Sequence, residues 1–156
     1  MPTADYHIVK ISYEDIDSIK PLWEKLNTLH FNLSPNFKSR FKSNTWEKRK
    51  NKLFDKSHQM LIEYAVDHEN RVVGYCISTI DKTDNSMGEI DSIFIEKEYR
   101  GLGIGKELMN NAINWLNSNK IETQRILVGA GNEGVLKYYQ EFDFYPLHIV
   151  LQKVEK

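Results

Sequence analysis

Tyr99-Arg100-Gly101-Leu102-Gly103-Ile104-Gly105-Lys106 lies between a short β-patterned run, Glu89 to Ile95, and a stretch where Ile104, Leu108, Ala112, Ile113 and Leu116 recur at helical spacing. The local order is strand, glycine-rich turn, helix. Alternating glycines let successive backbone N–H groups turn toward one point, and the positive end of the following helix adds to their field. A phosphate or pyrophosphate fits such a turn. Spacing excludes two common phosphate loops. A nucleoside-triphosphate loop needs a glycine where Arg100 stands and a Ser or Thr where Glu107 stands. A dinucleotide fingerprint needs a third small residue where the chain has Lys106 or Leu108, depending on the starting glycine. A turn that is merely sharp would not need three glycines between two cations.

The spacing that does match is Arg100-x-x-Gly103-x-Gly105, after a strand and at the head of a helix. Further on, Asn132 is followed seven residues later by Tyr139 and then by Asp143-Phe144. On these two signatures, in this order, the sequence resembles the GCN5-related N-acetyltransferase (GNAT) superfamily. The resemblance is specific over residues 90–153 and architectural only before Met60. Asp143 stands where the superfamily carries Gly; Asp tolerates left-handed backbone better than most residues, so the helix end is expected to survive.

The resemblance implies an α+β fold of three layers, with a mixed, mostly antiparallel sheet of about six to seven strands and about four helices. It implies acetyl-CoA as acetyl donor, CoA as product, and direct attack by a primary amine in a ternary complex. The pyrophosphate would rest on the amides of Gly101, Leu102, Gly103, Ile104, Gly105 and Lys106, beside Arg100. The pantetheine arm would lie along Ile93, Phe94 and Ile95, with a backbone N–H near Ile95 polarising the acetyl carbonyl. Asn132 would bind the arm, and Tyr139 matches the general acid that protonates the departing thiolate. Tyr138, about 100° round the helix, is expected to pack instead. The rival reading is a non-catalytic acyl-CoA sensor or interaction module, and retained Tyr139 and Asn132 speak against it.

Around this centre the pattern divides near residue 60. Tyr6 to Ile11 reads as a first strand, and Ile16, Ile19, Leu22, Trp23 and Leu26 mark a helix with Ser12 as its cap. Thr45 caps a second helix running to Phe54, and His30 to Asn44 reads as a loop between them. Met60 to Val66 and Arg71 to Ile80 form a hairpin across Asp67 to Asn70. Arg125 to Gly129 is expected as a strand, Glu133 to Gln140 as a helix, and Phe144 to Lys153 as a terminal strand.

The chain has 156 residues, one domain's worth over 1–156, and its 40% apolar content supplies a core. A formal charge of -1 gives no field for a polyanion, so no nucleic-acid partner is expected. Met1 to Lys10 carries no apolar signal core and no run approaches the roughly 20 residues of a bilayer span, so a cytoplasmic protein without a membrane partner is expected. Single Cys76, among Val72, Val73, Tyr75 and Ile77, reads as a reduced packing residue rather than a nucleophile. The five histidines have no metal-ligand spacing, and no metal is expected.

The proton acceptor has several candidates. Glu89 and Asp91 are two apart on a strand and share a face, so either serves as the base; a pair of solvated charges fits the same spacing. His30, with Phe31, lies in the segment expected to form the acceptor site, where a surface imidazole is equally consistent. Glu63 would add to an acidic site favouring a small cationic amine or a peptide amine, while the aromatic segment around Phe37 and Phe41 is equally suited to a neutral or carboxylated amine beside Arg40. The basic run Glu47 to Lys52 fits a solvated helix face. A homodimer paired through Leu147 to Leu151 across a two-fold axis completes the expectations.

Overall fold

The computed structural model describes residues 5–155; Met1 to Ala4, part of the segment read for a leader, lie outside the described residues. Five strands form one sheet in the order β1-β2-β3-β4-β5: β1 Tyr6–Ile11, β2 Ser57–Asp67, β3 Val72–Asp81, β4 Met87–Ile95 and β5 Thr123–Arg125. The first four are antiparallel neighbours, and β5 joins β4 in parallel through Met87, Gly88 and Glu89. The helices are α1 Lys20–Leu33, α2 Lys38–Ser43, α3 Trp46–Lys56, α4 Ile104–Ser118 and α5 Leu136–Gln140.

Each face of the sheet buries its own cluster. Under α4 pack Ala65, Val73, Cys76, Ile80 and Ile90 with Ile104, Leu108, Met109, Ala112 and Leu116. On the other face Ile62, Tyr75 and Ile77 meet Ile16, Ile19, Leu22, Trp23, Trp46 and Leu53. The alternation of strand side chains makes this division, and the layers are helix, sheet, helix. Cys76 is buried under α4, where burial pushes its thiol up to about 12, as befits packing.

Several boundaries differ from the sequence reading. Five strands are present among the described residues instead of six to seven, and five α-helices instead of about four. The strand expected at Arg125 to Gly129 is Thr123–Arg125, because its ladder with β4 ends at Glu89. Phe144 to Lys153 forms no strand: Leu147, Ile149, Val150 and Leu151 are exposed, and β-propensity without a neighbouring ladder makes no strand. The first helix winds as a 3-10 segment from Tyr13 to Ile19 before α1 begins, with Pro21 in its first turn. Ser12 donates to Glu14 at 3.1 Å rather than capping. The expected loop from His30 to Asn44 is mostly helical: α1 continues to Leu33, where Lys38 Nζ donates to the last-turn carbonyls of Phe31 and Asn32 at 2.8 and 2.9 Å, and Lys38–Ser43 winds as α2. Thr45 caps α3 as expected, accepting from the Lys48 amide at 3.2 Å.

Candidate functional site

The glycine turn opens α4 with Gly101 and Gly103 at φ of 78° and 92°, a left-handed conformation that side chains rarely adopt. Among the described residues, none of the amides from Gly101 to Lys106 donates to a turn or cap carbonyl; the helix ladder starts with Glu107 N–H to Gly103 O at 3.0 Å. These amides stand at the positive end of a 15-residue helix, as an anion requires. Above Gly101 a Cβ would meet nothing within 4 Å, and above Gly103 only the Tyr6 hydroxyl at 3.9 Å. The backbone is thus open to a ligand. Gly105 is needed for close packing instead, since a Cβ there would lie 2.8 Å from the Tyr138 hydroxyl.

Two latches hold the turn. Arg100 Nε donates to Ile95 O at 2.9 Å, its guanidinium 5.5 Å from the Phe94 ring centroid, which ties the turn to the end of β4. Asp67, buried at the β2–β3 turn, accepts from Tyr99 Oη at 2.7 Å and Arg71 Nε at 2.8 Å. Burial alone would raise the Asp67 carboxyl, but these donors and the Glu69 and Arg71 amides outweigh it and hold it well below the usual range. On the other side Tyr6 donates to Glu107 at 2.6 Å, and that bond pushes its phenol up to about 12.

Beyond Glu89, β4 has no partner on its β5 side among the described residues, so Ile93, Phe94 and Ile95 lie on an open edge. The register with β3 slips between Ile77 and Ser78, which leaves Asp91 as the extra residue of a β-bulge. Asp91 and Ser92 consequently both address the α1/α3 face, where Ser92 Oγ lies 2.6 Å from Tyr75 Oη.

Tyr138 and Tyr139 both pack against the cluster under α4, with ring centroids 5.7 Å apart. Tyr138 packs as expected, yet its hydroxyl is the one that approaches Gly105. Burial pushes the Tyr139 phenol up to about 12, so it keeps its proton through the neutral range. Asn132 precedes the 3-10 turn Glu133–Val135 and makes no side-chain cap bond. Asp143 adopts φ 65° and closes α5 with Asp143 N–H to Gln140 O and Phe144 N–H to Tyr139 O, both 3.1 Å, a Schellman arrangement.

Glu89 and Asp91 do share a face, and both are engaged. Lys56 Nζ lies 3.1 Å from Glu89 Oε2 and also contacts Asp91 Oδ2, while Arg49 contacts Asp91 Oδ1. Asp91 is 2% exposed and Glu89 12%, so neither is a solvated charge. Arg49 corrects the reading of Glu47 to Lys52 as a solvated face: it turns inward, and burial lowers its guanidinium. Sequence reasoning missed Arg49 and Lys56, whose signal was only their place on the face of α3 that carries Trp46 and Leu53. Glu63 is not part of this group; it stands 3.5 Å from Asn111 on the α4 face, its carboxyl raised by burial. The carboxylates of Glu89 and Asp91 bond to α3 and not to His30. The His30 ring lies 5.6 Å from that of Phe41, and burial lowers its imidazole from 6.5. Among the described residues no group of three or more His, Cys, Asp or Glu could hold a metal ion, and no helix is long and apolar enough to cross a membrane.

An anion-ready turn beside an open strand edge can receive an extended ligand that ends in a phosphate. Residues 23–144 match the model of the acetyltransferase (GNAT) family, and the chain belongs to that family. An uncharacterised N-acetyltransferase of Methanocaldococcus jannaschii is 32% identical over 74 residues, 47% of this chain and 32% of that protein. The match thus spans about a third of that relative's length. A proposed acetyl transferase from Pyrococcus furiosus superposes with a TM-score of 0.71 at 23% identity, over 96% of this chain and 99% of that one. An aminoglycoside acetyltransferase from an uncultured soil metagenomic sample, in complex with sisomicin, gives 0.65 at 15% identity, over 97% and 95%. Both structural likenesses establish the fold.

Proposed function

We propose that the protein is an acetyl-CoA-dependent N-acetyltransferase acting on a primary amine by direct attack in a ternary complex. The observation that carries this reading is the set of unpartnered amides from Gly101 to Lys106 beside the open edge at Ile93 to Ile95. The residues fit the donor: the turn would hold its pyrophosphate with Arg100 and Lys106, and the edge and Asn132 its pantetheine arm. When bound, the thioester supplies the activated acetyl group. Glu89 receives the proton of the acceptor ammonium, since Asp91 is already engaged by two cations while Glu89 holds Lys56 alone. Tyr139, still protonated at neutral pH, gives its proton to the sulfur. The acceptor class is a small cationic amine or a peptide amine, whose ammonium must take the place of Lys56 at Glu89, with His30 and Phe31 at the end of α1 shaping the entrance. The tail from Leu147 to Leu151 supports a homodimer, since its aliphatic side chains are exposed; light scattering on the full chain tests that part.

Calorimetric titration with acetyl-CoA tests the donor site without knowledge of the acceptor. Wild-type protein should bind and Gly103→Glu should not, because its side chain obstructs the turn. A folded wild type that binds no acetyl-CoA overturns the reading.

A further inference from the structure

Amine transfer leaves the cation between Glu89 and Asp91 unexplained. A carboxylate pair suited to an incoming ammonium already holds one, supplied by the chain itself. Lys56 ends α3 and carries its Nζ to 3.1 Å from Glu89 Oε2 and into contact with Asp91 Oδ2, with its side chain 27% exposed. Arg49 alone suffices to balance Asp91, so Lys56 is not required for the charge of that carboxylate. Asp91 is the bulged residue of β4. An arm that starts from the turn after Ile95 and runs back along β4 brings its thioester end toward Ile93 rather than Ile95, and Ile93 stands two residues, about 7 Å along the strand, from Asp91. A primary amine is therefore tethered beside a carboxylate base and next to the edge assigned to the acetyl donor. Tethering replaces a bimolecular encounter by an intramolecular one and raises the effective concentration of the amine.

We propose that Lys56 is an internal acceptor and that the enzyme acetylates its own Lys56. The inference rests on the acetyl-CoA reading above. Glu89 takes one proton from the Lys56 ammonium, leaving a neutral amine. Burial lowers the Lys56 ammonium from 10.5, with Glu89 opposing, which eases that transfer. Nζ then forms a C–N bond to the thioester carbonyl carbon as the C–S bond breaks. Tyr139 protonates the sulfur and recovers a proton from the nitrogen, and Glu89 releases its own to solvent; the products are Nε-acetyl-Lys56, CoA and one proton. The acetylated side chain is neutral and no longer occupies Glu89, so the modification frees that carboxylate for an external ammonium.

The test incubates the full chain with acetyl-CoA and follows each lysine by peptide mass spectrometry, alongside CoA release with a panel of external amines. Lys48 and Lys52, exposed on the same helix, report uncatalysed acetylation. Lys56 should be modified about tenfold or more faster than either, at a rate independent of protein concentration, as an intramolecular reaction requires. The excess should vanish in Gly103→Glu, and Lys56→Arg, which keeps the cation, should fold and show no modification at that position. Lys56 modified no faster than Lys48 and Lys52, in a preparation that releases CoA with an external amine, overturns the inference and leaves the acetyltransferase reading intact. An excess that persists in Gly103→Glu also overturns it, since a reactive lysine then suffices. Absence of acetyl-CoA binding removes both.

Discussion

The two faces of the sheet are built on different principles. Under α4 the contacts are apolar and the turn beside them is made of backbone: two left-handed glycines, a helix start and a strand edge. Under α1 and α3 the core is flanked by a set of half-buried charges, Arg49, Lys56, Glu89 and Asp91, drawn from two elements. A backbone site tolerates changes in most side chains and fails only where a Cβ intrudes. The charge cluster fails when Asp91 or Arg49 is removed, because the partner left behind is largely withdrawn from water.

The largest expected effect tests that contrast. Asp91→Ala strands Arg49 and should cost about 3–5 kcal/mol of stability in urea unfolding. Replacing Asp91 and Arg49 together by apolar residues of similar volume should restore most of it, whereas Leu108→Ala under α4, at about 2–5 kcal/mol, should have no such partner that rescues it. If the double variant is as unstable as the single one, the faces do not differ in this way. Tyr139→Phe sharpens the comparison, since it removes the one side chain of the α4 face to which chemistry is assigned. The turnover number should fall about 10²-fold while acetyl-CoA affinity stays unchanged. A phenol raised to about 12 donates only below that pH, so wild-type turnover should show no alkaline limb from this group until pH nears 12. The smallest effect is a gain: Asp143→Gly relieves a left-handed side chain at the end of α5 and should add about 1 kcal/mol in thermal unfolding.

The glycine turn and strand edge, assigned to the donor, were legible because their determinants are contiguous. Strand, turn and helix follow one another from Glu89 to Leu116, and glycine spacing reports backbone conformation directly. The charge cluster assigned to the acceptor was not, because its partners are distant: Lys56 and Asp91 are separated by 35 positions, and Arg49 sits in a run whose alternating charges resemble a solvated face. Pairing of this kind leaves no periodic trace. The terminal segment failed for a third reason: Leu147 to Leu151 carries strand-forming side chains, but a ladder needs a neighbour, which one sequence segment cannot reveal.

Gly131 gives the two halves a mechanical relation. It has φ 96°, and a Cβ there would fall 2.0 Å from Leu33 O, at the end of the helix that carries His30 and Phe31. Asn132 is the next residue. The loop assigned to the pantetheine arm and the helix end assigned to the acceptor thus touch backbone to backbone, with no side chain between them to absorb displacement. A shift of either toward the other meets main chain directly, so on the proposed assignment movement of the arm-binding loop is felt at the acceptor end.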